Sequence, residues 1–131
     1  MIINPHGFPL PLSSAFVTLL NKELEQANQT ETTGITLNFR DPGYSAESGG
    51  FHPVEIRIKA DGTLSYVTDF SYVGLPPFAE LAKALDFDAE YRVFQQFGVD
   101  YPLEEGRELF AIWQENFCAY YEMEVYTVTA E

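Results

Sequence analysis

Between Val54 and Val73 the chain spells out a β-hairpin. Val54, Ile56 and Ile58 alternate with Glu55, Arg57 and Lys59, the period of a strand with one wet face, and such strands pair antiparallel. Ala60-Asp61-Gly62 supplies turn chemistry before a second run of β-branched and aromatic residues reaches Val73. A two-residue Asp61-Gly62 turn would set Leu64 and Tyr66 beside Lys59 and Arg57. A three-residue loop with a left-handed Gly62 instead sets Ile58 against Leu64, Ile56 against Tyr66 and Val54 against Thr68, so the sequence predicts that register.

A hairpin with one apolar face needs a cover, and the flanking segments supply candidates. Pro5, Gly7, Pro9 and Pro11 forbid a helix over residues 1–12 and predict an extended lead-in, with Ser13 or Ser14 as N-cap of a first helix. In that helix Phe16, Leu19, Leu20, Leu24 and Ala27 form the inward stripe, leaving Lys22, Glu23, Glu25 and Gln26 in water. The polar stretch Asn28 to Thr33 is expected to end it. Ile35, Leu37 and Phe39 then alternate as a strand, and the Gly- and Pro-rich stretch from Asp41 to Pro53 is expected to form a long irregular loop.

Beyond the hairpin, Pro76 or Pro77 opens a predicted short helix bearing Phe78, Leu81, Ala82 and Leu85. Tyr91 to Phe97 reads as a strand and Gly98 to Pro102 as a connector. A long helix follows from about Pro102 to Tyr121, buried along Leu109, Ile112, Trp113, Phe117 and Tyr120. The β-branched run Val125 to Thr129 is expected to return to the sheet. The expectation is a single α+β domain over residues 1–131, a twisted antiparallel sheet flanked by an N-terminal helix and later helices.

Charge narrows the partners. Seven Lys and Arg face 20 Asp and Glu, a net charge of −13. Residues 1–60 hold 4 bases and 6 acids, net −2, whereas residues 61–131 hold 3 and 14, net −11. Such a field repels phosphate backbones and anionic lipid, which argues against direct binding to nucleic acid or membrane. It suits a basic protein partner, with Asp86, Asp88, Glu90, Glu104, Glu105 and Glu108 as the acidic face, or imitation of a phosphate array. The lone Cys118 cannot pair within the chain, no apolar run approaches a membrane span, and Met1 to Leu20 lacks the layout of a secretion signal. A reducing, cytoplasmic setting is expected.

Reactive constellations are sparse. His6, His52 and Cys118 have no paired zinc-ligand spacing, and no calcium loop, Walker loop or dinucleotide fingerprint occurs, so no metal or cofactor is expected. No strand-serine-helix elbow marks a nucleophile. The one local cluster of acid, base and guanidinium is Arg40, Asp41 and His52 with Tyr44, Ser45 and Glu47, within a loop of the kind that builds small-molecule sites. Local hydrogen bonding and a strand-end salt bridge are the competing reading of the same residues.

Five strings carry a family resemblance: Asn4-Pro5-His6-Gly7-Phe8-Pro9, Asn38-Phe39-Arg40-Asp41, Gly49-Gly50-Phe51-His52-Pro53-Val54-Glu55, Asp69-Phe70-Ser71-Tyr72-Val73-Gly74 and Trp113-Gln114-Glu115-Asn116-Phe117. Over nearly its whole length the chain resembles a bacterial family of unknown function, similar in fold to the mitochondrial acidic matrix proteins, the complement-receptor-like group. The resemblance implies a twisted antiparallel sheet flanked by helices from both chain ends, acidic homo-oligomers and work through protein binding. It supplies no catalytic residue. A closing strand where the ring-formers have a helix leaves dimer and trimer both open. The resulting expectation is a non-enzymatic protein-interaction module, the alternative being a small-molecule or enzymatic domain built on residues 40–53.

Overall fold

The computed structural model describes residues 1–27 and 33–131. Its elements run α1 (Ser14–Ala27), β1 (Ile35–Arg40), β2 (Val54–Ile58), β3 (Leu64–Val73), β4 (Glu80–Asp88), β5 (Val93–Gln96), β6 (Val99–Pro102), a 3₁₀ turn (Leu103–Gly106), α2 (Arg107–Glu122) and β7 (Thr127–Ala130). The seven strands form one sheet in the order β6-β5-β4-β3-β2-β1-β7, antiparallel throughout. Six strands thus make a meander, and α2 carries the chain back to the far edge. The helix is about 24 Å long and the sheet about 29 Å wide, so one helix nearly spans it.

The α+β class, the N-terminal helix and the late helix are as the sequence predicted. Ser13 caps α1, its Oγ accepting the Phe16 N–H at 3.2 Å. Phe16, Leu19, Leu20 and Leu24 are buried as expected, but so is Glu23, which accepts the Tyr121 hydroxyl of α2. The expected end of α1 at Asn28 to Thr33 falls almost wholly outside the described residues. Phe16 anchors the core, meeting Phe110, Trp113 and Phe117 edge-on at 5.9–6.3 Å. Phe39 of β1 meets Phe117 edge-on at 5.0 Å.

The hairpin forms with its three-residue loop, Gly62 at φ +87° and Ile58 opposite Leu64. Beyond that pair the predicted register fails. A β-bulge next to Ile58 sets Ile56 against Val67 and Val54 against Asp69. The extra residue is Ser65, and the shift turns Val67 into the core at 0% exposure while Tyr66 moves to the opposite face. An aliphatic side chain with nothing to hydrogen-bond takes the dry position over a tyrosine that keeps its hydroxyl partnered.

The segment predicted as a short helix through Leu85 is instead part of a strand, Glu80–Asp88. Every rung from Tyr66 to Val73 pairs with β4 or lies at a second bulge next to Phe70, so the long arm β3 gains a partner for its free edge. Leu85, read as helical spacing, alternates instead with Asp86, as Phe87 does with Asp88. The Gly98 to Pro102 connector is likewise a strand, because Phe97 at φ 47° and Gly98 at φ 82° make the tight turn that folds β6 onto β5. In α2, Trp113 and Phe117 are buried as expected, yet Ile112 is 55% exposed and the dry position belongs to Phe110. The closing strand returns to the sheet beside β1.

Candidate functional site

One concavity on each face of the sheet is lined by residues singled out in the sequence. The larger, about 470 Å³, opens between the sheet and α2 where the 41–53 loop ends. Aromatic and aliphatic side chains wall it, among them Phe51, Phe97, Leu109, Trp113, Tyr120 and Tyr126. At one end stands a polar triad. His52 Nδ1 lies 2.7 Å from Asp69 Oδ1, and the Trp113 indole N–H donates to Asp69 Oδ2 at 2.9 Å. Both carboxylate oxygens are therefore occupied.

The bulge next to Ile58 is what brings Asp69 here. It places Asp69 opposite Val54, on the helix side of β3, where the unbulged register would have turned it away. The buried Trp113 then has a partner for its N–H. The Asp69 carboxylate holds the His52 imidazole above its ordinary pKa, against an opposing contribution from burial. Burial, with the Asp69 charge, pushes the Tyr126 phenol well above its usual range, so it stays neutral.

A histidine whose folded pKa is raised stabilises the fold fully below its unfolded value near 6.5, and this contribution is lost as pH rises through the folded value. Urea midpoints of the wild type are expected to carry a falling component as pH rises above about 6.5 that His52→Asn removes. With 43% of the His52 side chain exposed, the effect is small.

Of the three loop residues singled out, only His52 reaches this cleft. Asp41 serves the loop itself, with Oδ1 accepting the Gly43 N–H at 2.8 Å and Oδ2 the Phe51 N–H at 3.0 Å. Arg40 ends β1 exposed, opposite Thr127. Tyr44 ties the loop to the β3–β4 hairpin, stacking on Tyr72 at 5.2 Å and accepting the Tyr72 N–H at 3.1 Å. Half-buried Cys118 has its thiol pKa pushed up by burial and by Glu122, which disfavours a reactive thiolate.

The second concavity, about 340 Å³, lies on the face turned away from the helices. Glu55, Asp86, Asp88 and Glu90 border it together with Tyr66 and Tyr91. Asp86 is buried, accepts the Thr68 hydroxyl at 2.7 Å and has its pKa raised by burial. Asp88 caps the following turn through the Glu90 and Tyr91 N–H groups, and Glu90 pairs with Lys59 at 2.6 Å. Glu55 accepts the Tyr66 hydroxyl. The structure thus brings Asp86, Asp88 and Glu90 together with Glu55, which charge counting by half-chain overlooked. Glu104, Glu105 and Glu108 stand apart, exposed on the 3₁₀ turn and the start of α2, with Glu104 paired to Arg107. Among the described residues, no three His, Cys, Asp or Glu side chains are placed to hold a metal ion, and no helix is long and apolar enough to cross a membrane.

Comparison with known proteins places these features in a lineage. Residues 14–131 match the family described as protein of unknown function (DUF2787). The hypothetical protein VC0508 from the VSP-II pathogenicity island of Vibrio cholerae is 34% identical, with a TM-score of 0.80 over 93% of this chain and 95% of that one. The conserved hypothetical protein VC1805 from pathogenicity island VPI-2 of Vibrio cholerae O1 biovar eltor is 36% identical. Its TM-score is 0.79 over 99% of this chain and 100% of its own, and it is described as sharing structural homology with the human P32 protein. Among curated proteins none matches. The expected likeness in fold to the mitochondrial acidic matrix proteins is met through that second relative, while the Asn4 to Pro9 string lies outside the span that the family model matches. With the family model covering all but the first 13 residues, the chain belongs to the DUF2787 family of proteins of unknown function.

Proposed function

We propose that the chain is a non-enzymatic protein-interaction module that receives basic side chains of a partner on the helix-free face of its sheet. One observation carries this: Glu55, Asp86, Asp88 and Glu90 share a single depression with two tyrosine rings, on a chain of net charge −13. Carboxylates beside an aromatic face suit a guanidinium, which forks onto the one and stacks on the other. Lys59 and Lys83 offset only part of the negative charge. The likeness of a relative to P32 supports a binding role, and self-association has apolar surface available at the β3–β4 hairpin tip, where Leu75 and Phe78 are 81% and 85% exposed. A single 131-residue unit working in the cytoplasm remains part of this proposal.

Fluorescence anisotropy with labelled octa-arginine tests it. Asp88→Asn with Glu90→Gln, which keeps the turn acceptor, is expected to weaken binding about tenfold at low salt. Replacing Glu104, Glu105 and Glu108 by Gln removes one charge more and is expected to change binding less than about twofold. Equal losses in the two variants would reduce the face to bulk charge.

A further inference from the structure

The geometry points to the cleft between α2 and the sheet as a binding site for a neutral aromatic small molecule that carries one hydrogen-bond acceptor, held by His52. The volume of about 470 Å³ lies in the range of small-molecule sites, and its walls are largely rings. Apart from the hydroxyls of Tyr120 and Tyr126, those rings offer faces rather than donors. The Trp113 N–H is already spent on Asp69, so its indole contributes apolar surface.

Among the described residues, the only ionisable pair in the lining is His52 with Asp69. His52 Nδ1 is held by Asp69, which leaves Nε2, a ring nitrogen with no hydrogen-bond partner among the described residues. With the imidazole protonated, Nε2 carries a hydrogen and can donate to a carbonyl or ether oxygen. Charged ligands fit worse. A cation finds both oxygens of Asp69 taken, and an anion meets Asp69 beside its only cationic contact and a chain of net charge −13. Asn116 of α2 and Gln96 of β5, the remaining polar lining side chains besides the two tyrosines, are exposed to solvent. Nothing in this reading depends on the acidic depression across the sheet.

A matched series on one carbon skeleton provides the test at pH 6: 1-tetralone, tetralin, 1,2,3,4-tetrahydro-1-naphthoate and 1-aminotetralin. Binding is read from the indole N–H resonance of Trp113, the chain's one tryptophan, and by calorimetry. Tetralone is expected to bind at about 0.1–1 mM, the range open to a ligand of its size. Tetralin and both ions are expected to bind about tenfold more weakly. His52→Ala should erase the advantage of tetralone over tetralin while tetralin itself still binds. Asn116→Trp, at an exposed helix position that tolerates bulk, should block both, and an unchanged thermal melt verifies that each variant is folded. Absence of binding by all four compounds, a preference for either ion, or an advantage of tetralone that survives in His52→Ala would each overturn the assignment.

Discussion

Phe110→Ala is expected to remove about 3–5 kcal/mol of stability, read as a lower urea midpoint at unchanged slope. Phe110 is fully buried and is the residue on which the packing of the lead-in, α1, α2 and the sheet converges. Its ring lies 4.6 Å from Phe87 of β4, 5.4 Å from Phe8, 6.1 Å from Trp113 and 6.3 Å from Phe16. Truncation strips partners from all four at once and leaves a void that rigid rings cannot collapse into. Against a total of about 5–15 kcal/mol for a domain this size, one substitution brings the fold near its limit. Phe110→Leu, which refills most of the space, should cost distinctly less. A loss below about 1 kcal/mol for the alanine variant would mean that the aromatic cluster is not packed as described.

The second large effect belongs to a polar residue. Gln114 is 2% exposed; its Oε1 accepts the Ser13 N–H at 2.8 Å and its Nε2 donates to the Pro11 carbonyl at 3.0 Å. It clamps the proline-rich lead-in onto α2 and orients the residue that caps α1. Gln114→Leu keeps the volume but orphans one donor and one acceptor, at about 1–3 kcal/mol each. The expected loss is about 2–4 kcal/mol, with the backbone amides of residues 3–10 exchanging faster than those of the sheet. Uniform acceleration across sheet and lead-in alike would argue against a local clamp.

Much of this architecture was legible in the residues. The alternation in β1 and β2, the stripe of α1, the Ser13 cap and the Asp61-Gly62 loop are local patterns, and local patterns survive into the fold. What was not legible depended on partners. Glu80 to Asp88 has apolar spacing that serves a helix or a strand, and the unpaired edge of β3 decided for the strand. Ile112 and Phe110 are both helical and apolar, and only the position of Phe16 and Phe87 selects between them. Asp69 reached the cleft through a bulge at Ser65 that no alternation announces. His52 was singled out for the company of Arg40 and Asp41, yet it pairs with a carboxylate 17 residues away across β2 and β3. A tryptophan and a charged residue both set among apolar neighbours were the available sign, since each needs a polar partner when buried.

The strand order also dictates a sequence of assembly. Strands β1 to β6 can zip together by successive neighbour pairings, each closing a modest loop. The β1–β7 ladder joins segments separated by nearly the whole sheet, because α2 must first traverse it. Closure of so distant a contact is slow and gains little until the meander exists to receive it. The final rung, where Glu131 and Thr36 exchange two backbone hydrogen bonds of 2.9 Å, is therefore placed to form last and to let go first.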